Sequence, residues 1–300
     1  MPLALSVAVC YLAWSIGHGE EDLLSAISRS NPWWWAASLV MFVPMFLVQA
    51  RYHAATLAAM APAHPRAPPM ADMAAYLQSQ VVRYIPGKVW GLLYQVERMK
   101  DRHPAARVLG ANLWQLFTTN LLSVGIASAL VGYGIGWVPL WVALAVAVAT
   151  IGLTEHFHRT SLIASAQDWL VKRVPWLRTR ALPPPPSCMG SWGSALLLVE
   201  WVFFALGMAA LFEGRVDGSA ALAAIGWYAG SSAAAILAFV VPAGLAVREA
   251  LFTGGHGLLE ASSASLLVIA TQARLSMVAA EILACAIASF AARRGSDAKA

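Results

Sequence analysis

The sequence predicts an all-α, polytopic membrane helix bundle of about eight transmembrane helices plus re-entrant or broken helices. Three observations predict it. Hydrophobic residues make up 59% of the 300 and charged residues only 12%, against roughly 25% charged in an ordinary soluble domain. The mean hydropathy is +0.64. Several apolar runs also approach the length of about 20 residues that a helix needs to cross hydrocarbon.

The expected spans are 2–17, 33–50, 110–133, 137–154, 194–212, 219–240, 257–273 and 275–292. The first, in "LALSVAVCYLAWSI", follows Met1 with no basic lead and no small-x-small cleavage site, so it reads as a retained span. The second, "NPWWWAASLVMFVPMFLVQAR", carries Trp33, Trp34 and Trp35 at one interface and Arg51 at the other. Cys10, Cys188 and Cys285 are too scattered for a disulfide frame or a metal cluster, and read as packing residues.

Charge sets the direction. With the amino terminus inside, the cytoplasmic side holds 51–109, a loop at 155–192, a connection at 241–256 and the tail, with seventeen of the twenty Lys and Arg residues. The opposite side keeps Arg29, Arg215 and Arg274. That bias predicts a cytoplasmic (inner) membrane protein with both termini cytoplasmic. The expected organisation is one integral membrane domain over 1–293 and a disordered cytoplasmic tail at 294–300. Within the 155–192 loop, "SLIASAQDWLVKRVPWLRTR" mixes apolar residues with four cations. It reads either as an amphipathic helix on anionic lipid or as an ordinary basic loop. His156 and His158 are expected in that loop, with no carboxylate cluster to make a metal site.

Two segments are poorly built to cross. In "ADMAAYLQSQVVRYIPGKVWGL", Pro86 removes a helical donor and Gly87 loosens the turn. A crossing here would also carry Arg98, Lys100, Arg102 and Arg107 to the wrong side, so a re-entrant hairpin is expected. In "VVPAGLAVREAL", Pro242 and Gly244 interrupt an apolar run ahead of Arg248 and Glu249. Paired interruptions in the two halves point to a transporter-like midplane site. A helix starting after such a break aims free N–H groups at an anion, and Arg83, Lys88 and Arg248 add charge for the same ligand. The competing reading, Pro-ended helices with snorkelling cations at the surface, stays open.

Weaker candidates are the intramembrane carboxylates. Glu200, Glu260 and Glu281 fall in or near expected spans, where a carboxylate is costly and is functional or paired. Arg274 and Glu281, seven residues apart, are expected as a structural ion pair. Glu200, in "LLLVEWVFF", is expected as a protonated core residue or a coupling site. Asn112, Gln115 and Thr119 form a polar stripe expected to join helices.

At "RYIPGKVWG" together with "VPAGLAVREALF", the chain resembles the membrane region of lysylphosphatidylglycerol synthases and the standalone integral membrane proteins related to it. That family has Arg-x-Ile/Leu-Pro-Gly in its first half and Pro-Gly-Gly-x-Gly-x-Arg-Glu in its second. "QARYHAATL" also fits, and the similarity covers about residues 1–293 in span order. The resemblance implies a site of Arg83, Pro86, Gly87, Lys88, Pro242, Gly244, Arg248 and Glu249. Ala243 and Ala246 depart from the family's frequent glycines, which bears on how closely backbone approaches a headgroup.

The resemblance further implies a flippase that moves an anionic phospholipid or lipid-linked sugar headgroup between leaflets, without the soluble lipid-charging domain. The alternative is a non-transporting membrane partner or anchor of a glycosyltransferase or other envelope-lipid enzyme. No nucleophile–base pair stands out, so no enzymatic activity is expected. No cofactor, metal or nucleic acid is expected either, and the expected partner is a membrane phospholipid or polyprenyl-linked lipid. There is no Gly-x-x-x-x-Gly-Lys, so coupling to a bound nucleotide is not expected.

Overall fold

Where apolar residues run on without a paired proline and glycine, they form long helices. The computed structural model describes residues 31–60, 69–82, 90–159, 189–212, 218–237 and 247–297. Regular structure among them is all helical: α1 (Pro32–Ala59), α2 (Pro69–Val82), α3 (Trp90–Met99), α4 (Ala105–Gly134), α5 (Leu140–Arg159), α6 (Gly190–Phe212), α7 (Gly218–Leu237), α8 (Val247–Gly254) and α9 (Ser263–Asp297). Five of these, α1, α4, α5, α6 and α9, are long and apolar enough to cross a membrane. The expected span 2–17 and the basic segment 161–180 lie outside the described residues. The 20-residue α7 occupies most of the expected 219–240 span and is not among the five.

Several expected boundaries move. The spans 257–273 and 275–292 are one helix, α9, of 35 residues. "ATQARLSMV" contains no proline or glycine, so the single Arg274 does not stop it. Arg274 therefore lies inside a helix and not in an outer loop. α9 also runs to Asp297, into the segment expected as a disordered tail. Its last turn carries Arg294, placed favourably against the negative helix end, and the Arg294 guanidinium lies 4.5 Å from the Phe290 ring centroid. α1 continues through Arg51 to Ala59, with Pro44 inside it. Its 28 residues extend about 42 Å. α5 reaches Arg159, so His156 and His158 are helical and do not start a loop.

The expected single domain separates into two compact units. One comprises Met1–Val43, Ser123–Val148 and Phe203–Ala280; the other comprises Pro44–Leu122, Ala149–Val202 and Glu281–Ala300. In the first unit, small residues let α4 and α7 approach closely. A Cβ on Gly134 would stand 2.5 Å from the Ser219 carbonyl oxygen, and one on Gly226 2.8 Å from that of Ala127. Tyr228, Phe252, Leu266 and Ile269 form its buried centre, while Trp33, Trp137 and Trp141 are exposed, as interfacial tryptophans would be.

In the second unit, α2 and α3 pack on one another on either side of residues 83–89. With 14 and 10 residues, neither reaches the roughly 20 residues of a crossing. Tyr52, Leu57, Leu77 and Met99 are fully buried there.

Candidate functional site

The first unit concentrates charge inside a helix. α8 begins at Val247, directly after the 240–246 stretch, and puts Arg248 and Glu249 in its first turn. The Glu249 Oε1 oxygen accepts from Arg248 Nη2 at 3.0 Å and from Arg274 Nη1 at 3.2 Å. All three side chains are mostly shielded, at 16%, 12% and 21% exposure. The Arg248 guanidinium sits 4.9 Å from the Tyr228 ring centroid, a cation–π distance. Trp227 Nε1 donates to the Leu251 carbonyl at 2.9 Å, and Tyr228 meets Phe252 edge-on at 5.2 Å, so α7 holds α8 in place.

Burial alone would push the Glu249 carboxyl up. The charges of Arg248 and Arg274 outweigh it and hold the group below the usual carboxylate range. Its second oxygen, Oε2, is buried with no hydrogen-bond partner. The cluster brings two guanidiniums and one carboxylate together. The arrangement can hold an anion by charge-assisted hydrogen bonds, and Glu249 keeps the cations apart and oriented.

This is where the expected second-half residues land. Arg248 and Glu249 are together, and Arg274, expected in a pair with Glu281, makes its ion pair with Glu249 across α8 and α9. Arg83, Pro86, Gly87, Lys88, Pro242 and Gly244, with Ala243 and Ala246, lie outside the described residues. Glu260 is exposed in the turn before α9, at φ 50°, and not within a span. Glu281 is buried in α9.

Around His53, the second unit is joined by neutral hydrogen bonds instead. Asn112 Nδ2 donates to Gln95 Oε1 at 2.9 Å, and the Gln95 amide meets His53 Nε2 at 2.6 Å. His53 Nδ1 meets Gln115 Oε1 at 2.8 Å, and Gln115 Nε2 donates to Tyr76 Oη at 3.1 Å. The amide groups fix the imidazole as the neutral tautomer protonated at Nδ1, accepting at Nε2. The His53 and Tyr76 rings stack at 4.4 Å.

A second chain links Tyr52 Oη to His158 Nε2 at 2.8 Å, His158 Nδ1 to Ser194 Oγ at 3.2 Å, and Ser194 Oγ to Glu155 Oε2 at 2.6 Å. Glu200, expected without a local partner, accepts from Gln49 Nε2 at 2.9 Å, leaving its Oε2 buried and unbonded. Of the polar stripe, Asn112 and Gln115 join helices as expected. Thr118, not Thr119, is the threonine engaged, bonding Tyr52 Oη at 2.8 Å, while the Thr119 hydroxyl is buried without a partner.

Most of this network was missed. The available signal is on α1: Gln49, Tyr52, His53 and Thr56 stand at i, i+3, i+4 and i+7, one polar face of a helix. At the end of the same unit, Asp72 accepts from Arg102 Nε at 3.0 Å and His103 Nε2 at 2.9 Å. Desolvation alone would raise the Asp72 carboxyl. The His103 bond and charge, then those of Arg102, overcome this and hold it low. Among the described residues, no group of His, Cys, Asp and Glu is arranged to hold a metal ion.

No family model, curated protein or solved structure matches the chain.

Proposed function

We propose that the chain is a lipid flippase or translocase of the cytoplasmic membrane, akin to the membrane region of lysylphosphatidylglycerol synthases, moving an anionic phospholipid or lipid-linked sugar headgroup between leaflets. The observation that carries this reading is the Arg248–Glu249–Arg274 cluster. Arg248 and Glu249 follow Pro242 and Gly244 closely in the sequence, and Arg274 is eleven residues inside a 35-residue helix that is long and apolar enough to cross a membrane.

A charged side chain at the bilayer centre costs at least about 2.5–3.5 kcal/mol, so such residues face a polar interior and have a function or a partner. Here Glu249 pairs with both guanidiniums and holds them side by side. A headgroup phosphate can add acceptor oxygens to the same forks, while the acyl chains stay in hydrocarbon. In the first half, Arg83, Pro86, Gly87 and Lys88 follow the same pattern of break then cation, and the resemblance of both segments to the family's motifs supports the same assignment.

The test is reconstitution of the purified full chain in liposomes carrying a headgroup-labelled anionic phospholipid, with a membrane-impermeant quencher outside. The proposal expects the protected inner-leaflet label to become quenchable at a rate proportional to protein content. A protein-independent rate, with the chain recovered instead in a stable complex with a lipid-modifying enzyme, would overturn it in favour of a non-transporting partner.

A further inference from the structure

Within the second unit, α1, α4, α5 and α6 meet at a hydrogen-bonded path that neither the charge cluster around Glu249 nor the network around His53 uses. It starts at Glu155 on α5, whose side chain is 21% exposed and paired with Arg159. Ser194 Oγ on α6 donates to Glu155 Oε2 at 2.6 Å, and His158 Nδ1 lies 3.2 Å from the same Ser194 oxygen. His158 Nε2 in turn lies 2.8 Å from Tyr52 Oη on α1, and Thr118 Oγ1 on α4 meets that phenol oxygen at 2.8 Å. Tyr52, Thr118, His158 and Ser194 are all buried. A Cβ on Gly193 would stand 3.0 Å from His158 Nε2, so glycine there leaves the imidazole its place.

Ser194, His158 and Tyr52 can each donate and accept, which is what passing a proton requires. Because Ser194 gives its hydrogen to Glu155, the neutral His158 ring is protonated at Nδ1 and accepts from Tyr52 at Nε2. All the hydrogens then point toward the exposed end. The inner end leads to Glu200, near the middle of the 23-residue α6 and about 9 Å further along its axis than Ser194. Glu200 Oε1 takes the Gln49 amide at 2.9 Å, while Oε2 is buried and unbonded. Gln49 and Tyr52 are three residues apart on one face of α1, and the charge of Glu200 reaches the Tyr52 hydroxyl. The partner of Glu200 is a neutral amide and not a cation. A carboxylate so placed is costly, and a bound proton removes its charge.

We propose that Glu200 is a proton-binding site inside the membrane, loaded and emptied from the Arg159 end of α5 through Tyr52, His158, Ser194 and Glu155. In the outward transfer, Glu200 gives its proton through one bridging water to the Tyr52 oxygen as Tyr52 passes its own to His158 Nε2. The Nδ1 hydrogen of His158 goes to Ser194, and that of Ser194 to Glu155. Each group on the path loses one hydrogen and gains one, so the sum is a proton moved from Glu200 to Glu155. The reverse order reloads Glu200. The titratable and charged groups facing the path are Tyr52 from α1, Glu155, His158 and Arg159 from α5, and Glu200 from α6. From α4 it meets the neutral Thr118 and Trp114. Proton binding here does not rest on lipid translocation and can persist without it.

The test is infrared spectroscopy of the detergent-purified full chain, reading the protonated-carboxyl C=O stretch and its downshift on transfer into heavy water. At neutral pH a protonated-carboxyl band is expected that Glu200→Gln removes. Glu97→Gln, at an exposed carboxyl on α3, is expected to leave both the band and its exchange rate unchanged. Tyr52→Phe and Ser194→Ala each delete one oxygen from the path. Each is expected to keep the band and to slow its downshift about ten-fold or more, with folding checked by the melting curve. A path that only fastens helices would show in the melting temperature and leave exchange no slower. No protonated-carboxyl band sensitive to Glu200→Gln, or undiminished exchange in both folded path variants, would overturn the proposal.

Discussion

Two buried polar clusters, one in each unit, are built in opposite ways. In the first, Arg248, Glu249 and Arg274 put three formal charges side by side. In the second, His53, Gln95, Asn112, Gln115 and Tyr76 satisfy one another without any formal charge. A charged cluster is maintained against a large desolvation cost and is balanced only while every member is present. A neutral network costs less to bury and holds helices together through many moderate bonds. The contrast separates a place equipped to meet a charged ligand from a place equipped to fix helix geometry.

The sharpest way to break that contrast is Glu249→Ala. It leaves two buried guanidiniums facing each other, and about 3–5 kcal/mol of stability should be lost, read as a large fall in the detergent melting temperature. A small fall would mean that the cluster is solvated and not a buried charge site. Next is Gln95→Leu, which strands His53 Nε2 at about 1–3 kcal/mol, while Asn112 Nδ2 keeps its bond to the Val108 carbonyl. The same melting measurement should show it, with no change in anion binding.

Asp72→Asn should cost about 1.5–3 kcal/mol at neutral pH through the weakened bonds to Arg102 and His103. Because the folded carboxyl is held below its ordinary value, its contribution is fully present above the unfolded pKa. It is lost as pH falls through the folded one. Wild type and variant should therefore converge in acid, and a gap that widens in acid would refute the pairing. The smallest effect belongs to Glu260→Gly. A non-glycine residue at φ 50° is strained by about 1–2 kcal/mol, so glycine should stabilise by up to about 1 kcal/mol.

The same contrast explains what was legible in the sequence. Helical class and the positions of four expected spans, 33–50, 110–133, 137–154 and 194–212, followed from long apolar runs, and the charged letters of "VREAL" marked two members of the cluster directly. Arg274 was misplaced because a lone cation between apolar runs reads as a loop; its partner, Glu249, is 25 residues away and cannot be found from spacing. The neutral network was harder. Gln, Tyr, Thr and His carry no charge signal, and His158 looked like a loop residue until α5 extended to Arg159. By contrast, the interruption between α2 and α3 was legible in kind, since proline and glycine together argued against one continuous helix. Its flanking helices are indeed too short to cross.

The most direct test of the central claim is the rate of labelled-headgroup movement in liposomes for wild type, Lys88→Gln with Arg248→Gln, and Arg294→Gln, each checked for folding by its melting curve. The account predicts that the double variant retains a cooperative melt and loses nearly all translocation, while Arg294→Gln moves lipid at the wild-type rate. Undiminished movement in the folded double variant would contradict it.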